Sequence, residues 1–189
     1  MLNIPEYQEY GEETKIALMD NSSLAFMHEL SQKGYSSDKI LGVYDLILIP
    51  RWVMEEIEDS AYRSAYIEQL QAQGYLICWI DETNYGTFVN DEDVNLYYIV
   101  EAAVSRVSEL MRFLRRNVKT EDLIDLPSAE EWMNRLYDEW PVCGKTLPTG
   151  RVLKKNAGEI SLTILAEIFA WYHDEIDLSL IHISEPTRP

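Results

Sequence analysis

Short continuous apolar runs alternate with stretches of helical spacing along the N-terminal part of this chain. Lys15–Met19, Tyr44–Ile49 and Tyr75–Ile80 are such runs, each bounded by polar or turn-forming residues. Their length and character predict buried strands. The first stops at Asp20, and Asn21, Ser22 and Ser23 follow, residue types that favour turns and helix caps. Leu24, Met27, His28 and Leu30 then recur at roughly helical spacing, which predicts a helix over 22–33 closed by Gly34. Pro50 ends the second run and suits the start of a helix carrying Trp52, Val53, Glu55, Glu56 and Ile57. That helix, or a successor, continues through Ala61–Gln73 to Gly74. The order β-α-β-α-β, with connections long enough for crossovers, predicts a parallel sheet covered by helices. Residues 1–14 are polar and read as a partly ordered arm.

After Ile80 the alternation stops. Asp91–Asn117 reads as one long helix. Val94, Tyr97, Val100, Val104, Val107, Met111 and Leu114 are spaced by threes and fours, and Leu96, Ile99, Ala103, Leu110 and Phe113 form a second row. Two rows make a wide apolar face, suited to several neighbours or to a partner or dimer surface. Asp125–Trp140 predicts another helix and 141–151 a loop. From about Ala157 a strong helix carries Ile160, Ile164, Leu165, Ile168, Phe169 and Tyr172 as its apolar positions. The expected fold class is α/β: three layers, a central parallel sheet with helices on both faces, and a helical insertion at about 90–150. The last stretch, LSLIHISEPTRP, resembles the translation of a sequencing adapter. Residues 179–189 are therefore expected to be a non-native tail that does not complete the fold and brings no carboxylate to the sheet edge. That leaves 1–178 as the domain.

Composition narrows the possibilities. A length of 189 residues suits one domain with a sizeable core, and 47% hydrophobic residues exclude a disordered chain. No apolar run reaches the ~20 residues of a membrane span, and the acidic N-terminus lacks an apolar signal core. Cys78 and Cys143 stand apart with no C-x-x-C partner, as expected of reduced thiols in the cytoplasm. The net charge of −17 argues against a broad basic face for nucleic acid, and leaves room for a local basic patch aided by metal ions.

Three acidic points could carry chemistry. Asp20 ends the first strand, where open α/β sheets bind ligands. Glu55 and Glu56 lie on the first turns of the helix after the second strand. Glu159 lies on the first turn of the last helix. Acids at helix starts are also ordinary capping chemistry, but the expected sheet order would bring all three to one edge. Clustered carboxylates repel unless a cation sits among them, and oxygen-only ligands point to Mg²⁺ or Mn²⁺. Gly144-Lys145-Thr146 is no phosphate loop, since Glu139 stands where its first glycine belongs. His28, His173 and His182 are dispersed. Basic residues crowd two places: Arg106, Arg112, Arg115, Arg116 and Lys119 on the long helix, and Lys145, Arg151, Lys154 and Lys155 ahead of Glu159. Either could grip a phosphate backbone.

The segments LMDNSS, IPRWVMEEI and NAGEISLTILAEI, in this order and spacing, resemble the motifs of the PIN-domain ribonuclease family. The resemblance implies a PIN-like fold for 1–178, with Asp20, Glu56 and Glu159 as the catalytic, metal-binding acids holding Mg²⁺ or Mn²⁺. Ser22, Ser23 and Glu55 would support them, and Arg112, Arg115, Arg116, Lys154 and Lys155 would contact nucleic acid. It implies an endoribonuclease that hydrolyses RNA phosphodiester bonds in toxin, defence or RNA-processing systems, with an antitoxin, another protein or a second copy as possible partner. Two departures stand out. Residues 90–150 are longer and more helical than a minimal member needs, and the adapter-like tail stands where the last strand and its fourth acid should be. Asp174 and Asp177 lie nearby, outside that motif. The alternative is a catalytically inactive PIN-like interaction module.

Overall fold

The computed structural model describes residues 4–7, 14–89, 93–119, 126–147, 149–173 and 176–181. The protein is α/β. In chain order its elements are β1 (Lys15–Met19), α1 (Asn21–Gln32), a short α2 (Asp38–Leu41), β2 (Leu46–Pro50), α3 (Arg51–Glu58), α4 (Ala61–Ala72) and β3 (Ile77–Ile80). There follow a 3₁₀ segment (Glu82–Val89), α5 (Asp93–Ala103), α6 (Ser108–Asn117), α7 (Ala129–Asp138), β4 (Cys143–Thr146), β5 (Val152–Lys154), α8 (Ala157–Tyr172) and β6 (Asp177–Ile181). The chain divides into two compact units, Met1–Ile80 with His173–Pro189, and Asp81–Tyr172.

The first unit holds a four-stranded sheet in the order β3-β2-β1-β6, every pairing parallel. Its strands carry apolar residues without alternation because the central ones are buried throughout: Ile16, Ala17, Leu18, Met19, Leu48 and Ile49 are fully enclosed. The steps β1 to β2 to β3 run the same way, so right-handed crossovers put their helices on one face, and α1 does pack against α3 and α4. Both long crossovers end alike. Gly34 and Gly74 take left-handed φ values of 83° and 98° after α1 and α4. The next residue's N–H reaches back a full turn, Tyr35 to Leu30 O and Tyr75 to Leu70 O, at 3.0 and 3.2 Å. This is a Schellman closure, which needs a residue tolerant of positive φ. Residues 5–7 cover the free side of β3: Tyr7 N–H donates to Trp79 O at 2.7 Å, and Trp79 N–H donates to Pro5 O at 3.0 Å.

β6 departs from expectation. Residues from Ser179 were expected not to complete the fold, yet Ser179, Leu180 and Ile181 pair with Ala17, Leu18 and Met19. The physical reason is the aliphatic alternation of Leu178–Ile181, which an exposed edge of a parallel sheet accepts. Residues 182–189 and Asp174 lie outside the described residues, as does most of the N-terminal arm.

In the second unit the expected long helix is two helices, α5 and α6. Between them the backbone tightens into three-residue turns, Ser105 N–H to Ala102 O and Val107 N–H to Val104 O. Val107 is extended before Ser108 opens the next helix. Threefold and fourfold spacing survives such a break, so periodicity alone does not register it. Asp91 lies outside the described residues. Much of the apolar face offered as a partner or dimer surface is covered: Leu96, Tyr97, Val100, Val104, Leu110 and Leu114 are fully buried, while Val94 is exposed and Ile99, Ala103, Val107 and Met111 are half-buried. α7 starts later than predicted, at an N-cap in which Ser128 Oγ accepts from Glu131 N–H at 3.3 Å. Asp125 lies outside the described residues. The predicted loop at 141–151 holds β4, which pairs antiparallel with β5 just beyond it. Gly144 permits that pairing, because a Cβ there would come within 2.9 Å of Leu153 O. Among the described residues no helix is long and apolar enough to cross a membrane.

Candidate functional site

Asp20 occupies the end of β1 and is the N-cap of α1. Its backbone is extended, and its Oδ1 accepts from Ser23 N–H at 2.6 Å. This is what a short acidic side chain does before a helix, since the first N–H groups have no intrahelical partner. The carboxylate is only 6% exposed. Asn21 is the first helical residue and turns its side chain toward α3, where its Nδ2 donates to Glu56 Oε2 at 3.2 Å. Asn21 thus ties the end of β1 to Glu56.

The same contact decides between the two neighbouring glutamates. Successive helical residues point about 100° apart. Glu56 faces Asn21, and Glu55 lies beside Arg51 at 3.7 Å, one turn back on α3. Trp52, Val53 and Ile57 are buried and fix the helix in this rotation.

The two serines also divide. Ser22 is exposed. Ser23 is fully buried, and its Oγ donates to Ile181 O at 2.6 Å, joining α1 to the end of β6. Its hydroxyl therefore serves the sheet.

Glu159 belongs to the second unit. It is exposed on the first turn of α8, where the helix dipole favours an acid. Asn156, just before this helix, adopts φ 61°, a left-handed conformation that asparagine tolerates better than most residues. Lys154 Nζ sits 3.1 Å from the centroid of the Tyr137 ring, a cation–π contact that engages it within the unit. Lys155 is exposed, and its carbonyl accepts from Trp140 Nε1 at 3.1 Å. Arg112, Arg115 and Arg116 are exposed on α6.

Whether the residues of the first unit suit a metal ion can be tested on Asn21. Its Oδ1 is buried and has no hydrogen-bond partner among the described residues. An unsatisfied buried acceptor costs about 1–3 kcal/mol, and a cation or water would satisfy it. Asp20, Glu56 and this amide offer oxygen donors only, the kind that Mg²⁺ or Mn²⁺ takes. Among the described residues no three His, Cys, Asp or Glu side chains form a group that could hold a metal. The fit therefore rests on two carboxylates and an amide.

Sequence reasoning passed over one polar cluster, in the second unit. Glu82 and Ser161 are buried, 1% and 0% exposed, and Tyr85 is fully enclosed. Ser161 Oγ donates its one proton to Glu82 Oε1 at 2.6 Å, so the 2.8 Å contact between Tyr85 and Ser161 requires the tyrosine to donate. Burial, then the Glu82 charge, push the Tyr85 hydroxyl well above its usual pKa. The available signal was a lone serine among the aliphatic residues of α8. Compared with known protein families, curated proteins and solved structures, the chain matches none of them.

Proposed function

We propose that this protein is a metal-dependent endoribonuclease of PIN-like type, acting in the cytoplasm on RNA. The observation that carries the reading is the buried Asp20 at the carboxyl end of a central parallel strand, with Glu56 hydrogen-bonded to Asn21, the next residue along the chain. In this reading Asp20, Glu56 and the Asn21 amide oxygen would hold Mg²⁺ or Mn²⁺, and Glu159 is the third carboxylate that the resemblance implies. Such an ion, when bound, lowers the pKa of a water and offsets the charge developing on the leaving oxygen. The chain's own part is positioning. Ser23 N–H fixes the Asp20 rotamer, and Asn21 fixes Glu56 and offers its own oxygen. A catalytically inactive interaction module is the weaker reading, because most of the large side chains of the apolar face considered for its partner or its dimer are buried.

The test is cleavage of single-stranded RNA with Mn²⁺. Glu56→Gln should lose at least about 100-fold, the upper end of what even outer-sphere metal partners contribute. Glu55→Gln should cleave as wild type, and Glu159→Gln measures the third acid. Cleavage that survives EDTA, or a Glu56→Gln variant as active as wild type, would overturn the reading.

A further inference from the structure

Helix α6 lines a groove of about 560 Å³ with Arg112, Arg115 and Arg116, together with Ser105, Ser108 and Met111. No acid lines it. The three arginines are exposed and form no ion pair among the described residues. That is unusual in a chain with 33 acidic and only 16 Lys and Arg residues, where a cation has many acids to meet. Glu109 accepts from Ser108 Oγ at 3.0 Å, and hydrogen bonds from its own backbone and from Ser108, then the Arg112 charge, hold its carboxyl below the usual range.

The groove is shaped for a particular anion. Guanidinium forks pair with phosphate through two parallel hydrogen bonds, and the Ser105 hydroxyl can add a donor, whereas the Ser108 proton is given to Glu109. Arg112 and Arg116 are one turn apart, a rise of about 6 Å, so the positive charge repeats along the helix. Repeated charge suits a repeated anion better than a single one. Met111 supplies an apolar, polarizable patch on which an unpaired base can rest. A duplex hides its bases and would leave that patch unused.

We propose that this groove binds the phosphodiester backbone of single-stranded RNA, as a substrate-holding site on the second unit. The proposal rests on the ribonuclease reading above, and deepens it by naming the form of the substrate.

The experiment measures binding of a fluorescent 2′-O-methyl single strand in EDTA, so that no cleavage occurs. The slope of log K against log salt should be about −2, from three phosphates at about 0.7 each. Arg112→Gln with Arg116→Gln should bring the slope to about −0.7 and weaken binding at least tenfold at 50 mM salt. Lys33→Gln with Lys39→Gln, two exposed lysines of the first unit, removes the same net charge and should leave both values unchanged. Circular dichroism checks that each variant is folded. Equal binding by the arginine pair and wild type overturns the proposal, as does equal weakening by the lysine pair. Duplex RNA binding as tightly as the single strand overturns it, and so does inorganic phosphate displacing the strand at equal phosphate concentration. If binding behaves as expected while Mn²⁺ cleavage is absent, only the nuclease reading falls. If cleavage is present and binding ignores the arginines, only the groove falls.

Discussion

Replacing Asp20 by Asn and by Ala separates its two roles. As a cap, Asp20 accepts Ser23 N–H at 2.6 Å in a site where Ser23 is fully buried. Alanine removes the acceptor and leaves that N–H without it. Cap loss alone is worth about 1 kcal/mol, and a buried orphan donor raises it toward about 2 kcal/mol. For a chain of 189 residues that lowers Tm by about 4–8 °C. Asparagine caps helices as well as aspartate does, and loses only the charge–dipole contribution of about 0.3–1 kcal/mol, so its Tm should fall by no more than about 4 °C. These values apply in EDTA, followed by circular dichroism. With Mn²⁺ at about 100 times Kd, wild type should gain about 2.7 kcal/mol by mass action, or about 5–11 °C. Asp20→Asn should gain almost none. If Asp20→Asn is stabilised by Mn²⁺ as much as wild type, Asp20 is a cap and no more. If Asp20→Ala is no less stable than Asp20→Asn in EDTA, the capping argument itself fails.

Two further outcomes follow from the second unit and from two tyrosines that are hydrogen-bonded to acids. Ser161→Ala removes the group between Glu82 and Tyr85 and should cost about 2–3 kcal/mol in urea unfolding, against about 1 kcal/mol for Tyr85→Phe, and the reverse order would refute the assigned donor directions. Tyr75, by burial and then its hydrogen bond to Asp38, and Tyr97, by burial and then the Glu101 charge, are each pushed up to about 12. Their raised values mean that both stabilise the fold below about pH 10, and that this contribution is lost as pH rises through about 12. Absorbance at 295 nm should show a late phenolate rise near pH 12, whose amplitude falls in Tyr75→Phe.

The parallel sheet was legible because its strands are buried on both faces, and the crossovers because Gly34 and Gly74 stand where helices must stop. Asp20 was legible as the polar residue ending an apolar run. The choice of Glu56 over Glu55 was not, because it depends on the rotation of α3, set by the burial of Trp52, Val53 and Ile57. Asn21 was read as a turn former, and its link to Glu56 spans 35 residues. The hairpin of β4 and β5 escaped because its strands are short and largely exposed, so burial left no pattern. The break between α5 and α6 escaped because the apolar phase continues through it. The pairing of Ser179–Ile181 was discounted because the segment resembles a translated adapter, yet a sheet edge selects strands by alternation.

The sheet is completed by its most distant pieces, and this sets an order of assembly. β1 meets β2 across about thirty residues, the separation of Lys15 and Asp45. It meets β6 across far more: Ser23 and Ile181, which lock the two elements, are 158 residues apart. Closing the longer loop costs about 1.5 kcal/mol more in chain entropy, and contacts of such separation form slowly. During synthesis β1, β2 and β3 can zip together while all of Asp81–Tyr172 is still to emerge. Until β6 arrives, one side of β1 stays open, and a nascent chain is most vulnerable to pairing with a neighbour on the same message. The Ser23–Ile181 bond is therefore the last stitch of the sheet, and its formation marks the moment when the newborn protein stops being a template for its siblings.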